Sequence, residues 1–197
     1  MKMHFIYLCL LVFVMPLLFS CGGNKKPDSN ENNTNETNQN ECVKDTKISL
    51  FVSKAGLKDN KSFVTANNTF NVQKQQYVFI NDSTAEIKIN GITKLKSGVD
   101  SEVTIEIALY AKKGTKLNYG IYKNMDFDCN RFAKVSIKTD LGNIWFNWST
   151  GMPDPGAVNI HRISSDMVCG SVNLNVEKPD NQSIGVVKLN GNFYISN

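Results

Sequence analysis

The chain has 197 residues, of which 41% are hydrophobic and 20% charged, with 22 Lys and Arg against 18 Asp and Glu. These values exclude a polytopic membrane protein, because only one long apolar run is present. They also exclude a chain that is disordered throughout, because its aromatic and β-branched residues can build a core. A net charge of +4, spread along the chain, excludes a strongly basic nucleic-acid-binding protein.

Residues 1–20 are predicted to form a secretory signal peptide, since Lys2 precedes an apolar stretch from Phe5 to Phe19. This stretch is short for a membrane span, which needs ~20 apolar residues. Leu18-Phe19-Ser20-Cys21 resembles the lipobox of bacterial lipoproteins. The resemblance implies that the Cys21 thiol receives a diacylglyceryl group and that the new amine is acylated, for example by palmitate. We expect a membrane-anchored lipoprotein of the cell envelope, in the outer membrane, facing either the periplasm or the exterior. An uncleaved anchor helix is the alternative.

Residues 21–41 are predicted to form one unit, which consists of the lipidated Cys21 and a disordered tether. Residues 24–41 contain no aliphatic or aromatic side chain, so they cannot bury enough surface to offset their ordering entropy. A flexible segment of this length spans about 25 Å. We expect it to hold the following domain away from the lipid head groups.

Residues 42–197 are predicted to form a single all-β domain, with 19 basic and 14 acidic residues. Apolar and polar residues alternate with a period of two along several segments, which indicates strands with one face on a core and one in water. The predicted inward positions are Ile48, Leu50 and Val52; Ile87 and Ile89; Val103, Ile105, Ile107 and Leu109; Val135 and Ile137; Val172, Leu174 and Val176; and Val187, Leu189, Phe193 and Ile195.

Turn residues lie between these segments. Asn90-Gly91 predicts a hairpin, and Asp140–Asn143 predicts a second link between strands. Residues 54–68 fit either a long loop or one helical turn. We expect about eight to eleven short antiparallel strands in a sandwich or a partly open barrel.

Three C-terminal segments carry a family resemblance: Gly156–Ile160, Cys169–Leu174 and Val187–Ile195. They resemble the last strands of small, uncharacterised all-β lipoproteins of the Bacteroidetes. Gly170-Ser171-Val172 departs from the Gly-Thr-Phe of that pattern, and Leu189 stands in place of its Thr. The resemblance implies a fold and a location but no chemistry, and it suggests a bulge at Gly191. A hairpin at Asn190-Gly191 is the competing interpretation.

Three cysteines, Cys42, Cys129 and Cys169, remain after Cys9 leaves with the signal and Cys21 takes lipid. The expected compartment is oxidising, so one disulfide is allowed. Cys129–Cys169 is favoured, because both residues would lie at one end of the sheet. Cys42 is expected to be free or to replace either partner, and three reduced thiols are the alternative.

Signals of catalysis and of metal binding are weak. His161 is the only histidine after processing, and it is predicted to face outward beside Arg162. Asp126, Asp128 and Asn130 begin like a calcium loop, but Arg131 stands where an EF-hand has Gly, so only a looser Ca²⁺ site is left open. Motifs for an activated nucleophile or a phosphate loop are missing. We expect no cofactor and no enzymatic activity.

The aromatic segment Ile144–Trp148 is the most suggestive feature of the sequence. If Ile144, Phe146 and Trp148 face the core, Trp145 stands on the outer face, where it would stack on a sugar or anchor a partner protein. The predicted binding platform consists of Trp145, Tyr119, Tyr122 and Asn147. Core or edge packing of both tryptophans is the alternative.

These residues favour a monomeric, lipid-anchored module that binds a glycan or an envelope protein and does not bind nucleic acid. A barrel-like carrier of a small apolar ligand is the alternative. An envelope hydrolase using Asp126, Asp128 or His161 is the least favoured of the three.

Overall fold

The computed structural model describes residues 41–58, 61–123, 130–146, 154–177 and 185–197. Within these ranges the chain forms β-strands and no helix, which confirms the all-β prediction. None of the described segments is therefore an apolar helix long enough to cross a membrane. The strands are β1 (Lys47–Val52), β2 (Gly56–Lys58), β3 (Lys61–Ser62), β4 (Asn71–Asn81), β5 (Thr84–Lys94), β6 (Asp100–Ala111), β7 (Gly120–Lys123), β8 (Arg131–Thr139), β9 (Gly142–Trp145), β10 (Gly156–Ile163), β11 (Met167–Glu177) and β12 (Val186–Ser196).

Ten of these strands form one sheet in the order β1-β12-β11-β10-β7-β8-β6-β5-β4, with β9 paired to β8 beside this path. All pairs in it are antiparallel except β7 with β8. The sheet is barrel-like and nearly closed, with one unsealed seam, so the partly open barrel is confirmed. The short strands β2 and β3 pair separately, in the region where a loop or a helical turn was expected.

The edge strands β1 and β4 face each other across the seam, which side chains bridge at one end. Thr46 Oγ1 donates to Gln75 Oε1 over 2.8 Å, and Asn197 Nδ2 donates to the Tyr77 carbonyl over 3.2 Å. The Tyr77 hydroxyl donates to the Ser164 carbonyl over 2.7 Å, between β10 and β11. These hydrogen bonds hold β4 near the strands on the far side of the seam, although no continuous ladder of backbone hydrogen bonds joins β4 to β1.

The segment before β4 closes the other end of the seam. Thr65 N–H donates to the Val52 carbonyl over 3.0 Å, and Thr65 Oγ1 accepts the Val52 N–H over 2.9 Å. The next residue, Ala66, donates its N–H to the Lys94 carbonyl over 2.8 Å. This segment therefore links β1 to β5 where β4 does not reach.

The inner face of the sheet is lined by the predicted alternating residues. The predicted inward residues of β5, β6 and β8 are Ile, Val and Leu side chains that are at most 2% exposed. Burying each such side chain stabilises the fold by about 1.5–3 kcal/mol. All the predicted inward residues are buried except Val176, which is half-buried. The period-two pattern thus identified the core correctly.

Gly91 does not form the predicted hairpin, because Asn90 and Gly91 lie within β5, opposite Thr104 and Val103. A Cβ at Gly91 would lie 2.6 Å from the Phe70 ring and 2.4 Å from the Asn71 carbonyl oxygen. The glycine therefore allows the start of β4 to pass close to β5. Such a close approach of another segment is one reason for glycine inside a strand.

Gly191 lies inside β12 and pairs with Ile48 on one side and Val172 on the other without a shift in register. Neither the hairpin nor the bulge is present at this position. Its φ of +145° and the Lys47 carbonyl oxygen, 2.0 Å from where a Cβ would lie, both favour glycine. The turn predicted at Asp140–Asn143 does link two strands, β8 and β9.

Candidate functional site

One of the four residues of the predicted platform, Tyr122, is buried and therefore cannot belong to an exposed surface. Tyr122 faces inward from β7 and is 0% exposed, whereas Tyr119 and Ile121 are 58% and 60% exposed. The Tyr122 hydroxyl donates to the Asn118 carbonyl over 2.8 Å and accepts the Asn118 N–H over 3.1 Å. Burial raises the pKa of this hydroxyl. Tyr122 is thus a core residue that fixes the corner before β7.

The same corner carries Tyr119 in a defined position. The Arg131 guanidinium donates to the Tyr119 carbonyl oxygen and lies 5.9 Å from the centre of the Tyr122 ring. Trp145 ends β9, where its backbone pairs with Ser136. Its side chain lies outside the described part of the chain, as does Asn147, so their place in the platform stays a prediction. Ile144 and Phe146 are each 1% exposed, as predicted for that strand.

The predicted disulfide partner of Cys169 is wrong. Cys169 is bonded to Cys42, with the two Cα atoms 5.7 Å apart. Two strands, β7 and β10, separate β11 from β8, the strand that Cys129 precedes in sequence. Cys129 itself lies outside the described residues. The bond holds the segment before β1 against β11, the third strand from the β1 edge of the sheet.

The residues considered for catalysis or metal binding do not gather into a site in the described ranges. His161 is the extra residue of a β-bulge in β10, half-buried beside the exposed Arg162. Asn130 is exposed before β8, and Asp126 and Asp128 lie outside the described residues, so the Ca²⁺ site stays a prediction. Among the described residues, no three His, Cys, Asp or Glu side chains are grouped to hold a metal ion.

An aromatic pair that the sequence analysis missed lies on the outer face of the sheet. The rings of Tyr110 on β6 and Phe132 on β8 are stacked, with centroids 4.7 Å apart. Lys134 Nζ lies 6.0 Å from the centre of the Tyr110 ring. Tyr110 follows the buried Leu109, and Phe132 precedes the buried Ala133. Each aromatic residue therefore lies on the solvent-facing side of its strand. A large aromatic residue on that side was the signal in the sequence.

The aromatic pair begins a row of residues that crosses the outer face from strand to strand. From Phe132, the row continues through residues that lie directly opposite each other on neighbouring strands, as far as the edge strand β1. In order, they are Lys123, Ala157, Asn173, Asn190 and Ser49. A parallel row two residues along the strands contains Ile121, Asn159, Ser171, Asn192 and Lys47.

The uncharged polar residues of these rows form what we term the amide face. It lies on β10, β11, β12 and β1, with one exposed and five half-buried residues. Its members are Ser49, Asn159, Ser171, Asn173, Asn190 and Asn192. By contrast, the outer face of β5, β6 and β8 carries an ion cluster, in which Glu106 contacts Lys138 at 2.7 Å and Lys88 at 3.6 Å. The amide face is thus a group of uncharged residues, although the exposed Lys188 lies on the same side of β12 as Asn190 and Asn192.

Comparison with known proteins identifies no counterpart: no family model, no curated protein and no solved structure matches the chain. The arrangement of the outer face is consequently the basis for any statement about function.

Proposed function

We propose that this protein is a lipid-anchored, non-catalytic binding module of the cell envelope that engages a glycan or a protein. One observation carries the proposal: the stacked rings of Tyr110 and Phe132 lie on the outer face, in register with the amides of Asn173 and Asn190. Aromatic rings offer apolar contact area, and amides offer both donors and acceptors. Their alignment supplies both kinds of contact along one line.

The exposed side chains of Tyr119 and Ile121 extend the apolar contact area. Ile121 lies opposite Asn159, so an apolar residue also begins the second row. Exposed apolar side chains mark an interaction site when they are grouped, and Tyr119 and Ile121 lie two residues apart in one segment. The corner fixed by Tyr122 and Arg131 supports a preformed surface, which lowers the entropy lost on binding.

The anchoring part of the proposal rests on the lipobox resemblance at Cys21 and on the tether of residues 21–41. Acyl chains contribute about 0.8 kcal/mol for each buried CH₂ group, so two or three of them give stable attachment to a membrane. A monomeric domain on such a tether would present its outer face to ligands near the membrane without a cofactor.

Replacing Phe132 with Ala tests this function. Removing one ring of the stacked pair should weaken binding about tenfold or more, because aromatic anchors dominate most interfaces. The full chain, purified in mild detergent, is titrated with polysaccharides and with solubilised envelope proteins. Val78→Ala, on the outer face of β4, is the matched control and should leave the affinity unchanged. Equal affinity of the Phe132→Ala variant for every ligand would contradict the assignment of this surface.

The curvature of the ten-stranded sheet favours a second candidate function, the carriage of a small apolar ligand inside the barrel. This function requires a ligand among the inward side chains of strands such as β5, β6 and β12. Mass spectrometry of an organic extract of the purified Cys21→Ser chain would detect a co-purified lipid. A stoichiometric lipid in that extract would favour the carrier over the surface-binding module.

A further inference from the structure

We infer that the end of the sheet from which the tether leaves docks on the anionic phospholipid surface of the membrane that anchors the chain. This inference rests on the anchored part of the proposed function and adds the surface through which the domain contacts lipid. We term this end the tether end, and its described segments are residues 41–46, 81–84, 112–119 and 163–167. Its basis is the strand topology, the distribution of charge and the position of the exposed apolar side chains.

The strand pairing brings these four segments to one end of the sheet. Strands β1, β5, β7, β8 and β11 begin at this end, and β4, β6, β10 and β12 end there. The Leu117 N–H donates to the Asp82 carbonyl over 2.6 Å, so the loop 112–119 packs against the turn between β4 and β5. The Cys42–Cys169 bond fixes the start of the domain against the start of β11. The tether joins the chain just before Cys42, and it therefore leaves the domain at the end that carries the loop.

Positive charge is concentrated in the loop 112–119. The loop and the described residues that it hydrogen-bonds contain four cations and one anion: Lys112, Lys113, Lys116, Arg131 and Asp82. The anion is already paired, because the Asp82 carboxylate lies 2.7 Å from Lys116 Nζ. Lys112 and Lys113 are exposed, and within the described ranges they contact no acidic side chain. The loop therefore presents unpaired cations to the solvent.

The excess of positive charge belongs to this loop and not to its surroundings. Residues 41–47 contain two acids and two lysines, and the turn before β11 carries Arg162 and Asp166. At the opposite end of the sheet, Lys94 lies directly opposite Asp100. The loop is thus the part of the tether end that an anionic surface attracts.

Exposed apolar side chains gather at the same end. In the described ranges the large apolar side chains that are exposed are Val43, Val78, Ile80, Val99, Tyr119 and Ile121. Four of them lie in the tether end or within two residues of it, namely Val43, Ile80, Tyr119 and Ile121. Lysines next to exposed aromatic and aliphatic residues suit the boundary between lipid head groups and acyl chains. Tyr119 and Ile121 also border the outer face, so the membrane and a ligand on that face would compete for them.

The tether favours the membrane over a soluble anionic partner. It holds the domain within about 25 Å of the lipid, so docking is intramolecular and needs only weak contacts. A lysine near an anionic membrane shifts the ratio of docked to undocked domain about fivefold, the equivalent of about 1 kcal/mol. A soluble polyanion has the same charge complementarity but must also offset the full entropy cost of association.

The test measures how fast each lysine is acetylated when the full chain is attached to vesicles. The wild-type chain is incorporated into preformed vesicles of phosphatidylcholine, or of phosphatidylcholine with about a third of phosphatidylglycerol. A water-soluble reagent acetylates the exposed lysines, and mass spectrometry gives the rate at each position. We expect Lys112, Lys113 and Lys116 to react several-fold more slowly on the anionic vesicles, because docking shields them. Lys96, in the turn between β5 and β6 at the opposite end, should react equally on both.

A pair of double variants separates docking from a general effect of surface charge. Lys112→Gln with Lys113→Gln should lower the ratio of docked to undocked domain about 25-fold, at about fivefold for each lysine. Lys116 should then react on anionic vesicles about as fast as on neutral ones. Lys94→Gln with Lys96→Gln removes two lysines from the opposite end and should leave the slow reaction of Lys116 unchanged. Thermal unfolding of both variants checks that the fold is retained.

The other outcomes separate the inference from the anchor on which it rests. If the chain floats with both kinds of vesicle and its lysines react equally on both, the docking surface is rejected and the anchor stands. The same holds if Lys96 is slowed as much as Lys112, or if a sulfated polysaccharide in detergent shields Lys112 and the vesicles do not. Flotation with the anionic vesicles alone, with slow reaction of Lys112, would support docking and reject the anchor. If the chain floats with neither, the anchored part of the proposed function fails together with the inference.

Discussion

Tyr77 joins the edge strand β4 to the turn between β10 and β11 through one hydroxyl group. Burial raises the pKa of this hydroxyl from 10.0 to about 12. Above pH 10 the unfolded chain releases the proton while the folded chain keeps it, so the unfolded state is favoured as the pH rises from about 10 to about 12. The stabilisation linked to Tyr77 is therefore complete below pH 10 and is lost in that window.

Tyr77→Phe should lower the free energy of unfolding at neutral pH by about 1 kcal/mol, because the hydrogen bond to the Ser164 carbonyl is lost. It should also make the decline of stability above pH 10 shallower, with Tyr122 accounting for part of what remains. Urea unfolding across this pH range measures both effects. Tyr119→Phe, at an exposed position, is the control. An unchanged pH dependence in the Tyr77→Phe variant would contradict the role given to this hydroxyl.

At the scale of the strands, the alternation of apolar and polar residues predicted the buried side correctly, whereas Gly91 and Gly191 did not mark turns or bulges. Residues such as Ile105 and Leu189 are buried where the pattern placed them, because a strand with one dry face must alternate. Gly91 and Gly191 were interpreted as turn or bulge residues, yet both lie inside strands where another segment passes close by. That close approach depends on distant residues, Phe70 and Lys47, which local sequence does not identify.

The disulfide acts on the same scale, because it joins the start of the domain to β11, an inner strand of the sheet. It joins two residues that are 127 positions apart in sequence, and the removal of such a bond costs about 2–5 kcal/mol. Cys42→Ser should lower the free energy of unfolding by an amount in this range, measured by urea unfolding under oxidising conditions. The segment before β1 should also become more sensitive to protease, since its attachment to β11 is lost.

Cys129→Ser is the matched control for the disulfide. A sulfur atom forms only one disulfide, and the sulfur of Cys169 is bonded to Cys42. The Cys129→Ser change therefore breaks no bond to Cys169. This variant should unfold at nearly the wild-type urea concentration. Peptide mapping that finds Cys129 bonded to Cys169, together with a stability loss in Cys129→Ser alone, would reject the pairing.

At the scale of the whole molecule, the sequence predicted the type of fold but only part of the candidate site. Tyr119 was predicted as an exposed residue and is one, whereas Tyr122 is core. The row that joins Phe132 to Asn173 passes over β8, β7, β10 and β11, and its step from β7 to β10 joins strands that are separated in sequence by β8 and β9. Local periodicity specifies which side of a strand a residue occupies. It does not specify which strands become neighbours, and that order is what aligns the aromatic pair with the amides.

Attachment to a membrane would decide where this outer face acts, and we expect it to depend on Cys21. Cys21→Ser removes the thiol that the lipobox resemblance assigns to the diacylglyceryl group. Mass spectrometry of the wild-type protein should show the loss of residues 1–20 and the added mass of the acyl chains, whereas the Cys21→Ser chain should lack that added mass and retain residues 1–20, because cleavage follows lipidation in the lipoproteins that the lipobox resembles. Cys9→Ser is the matched control, because the predicted cleavage removes that residue, and it should leave the protein in the membrane fraction. If the wild-type chain instead retains residues 1–20 and carries no added mass, the anchor is the uncleaved apolar segment, and the tether begins from a spanning segment instead of from lipid.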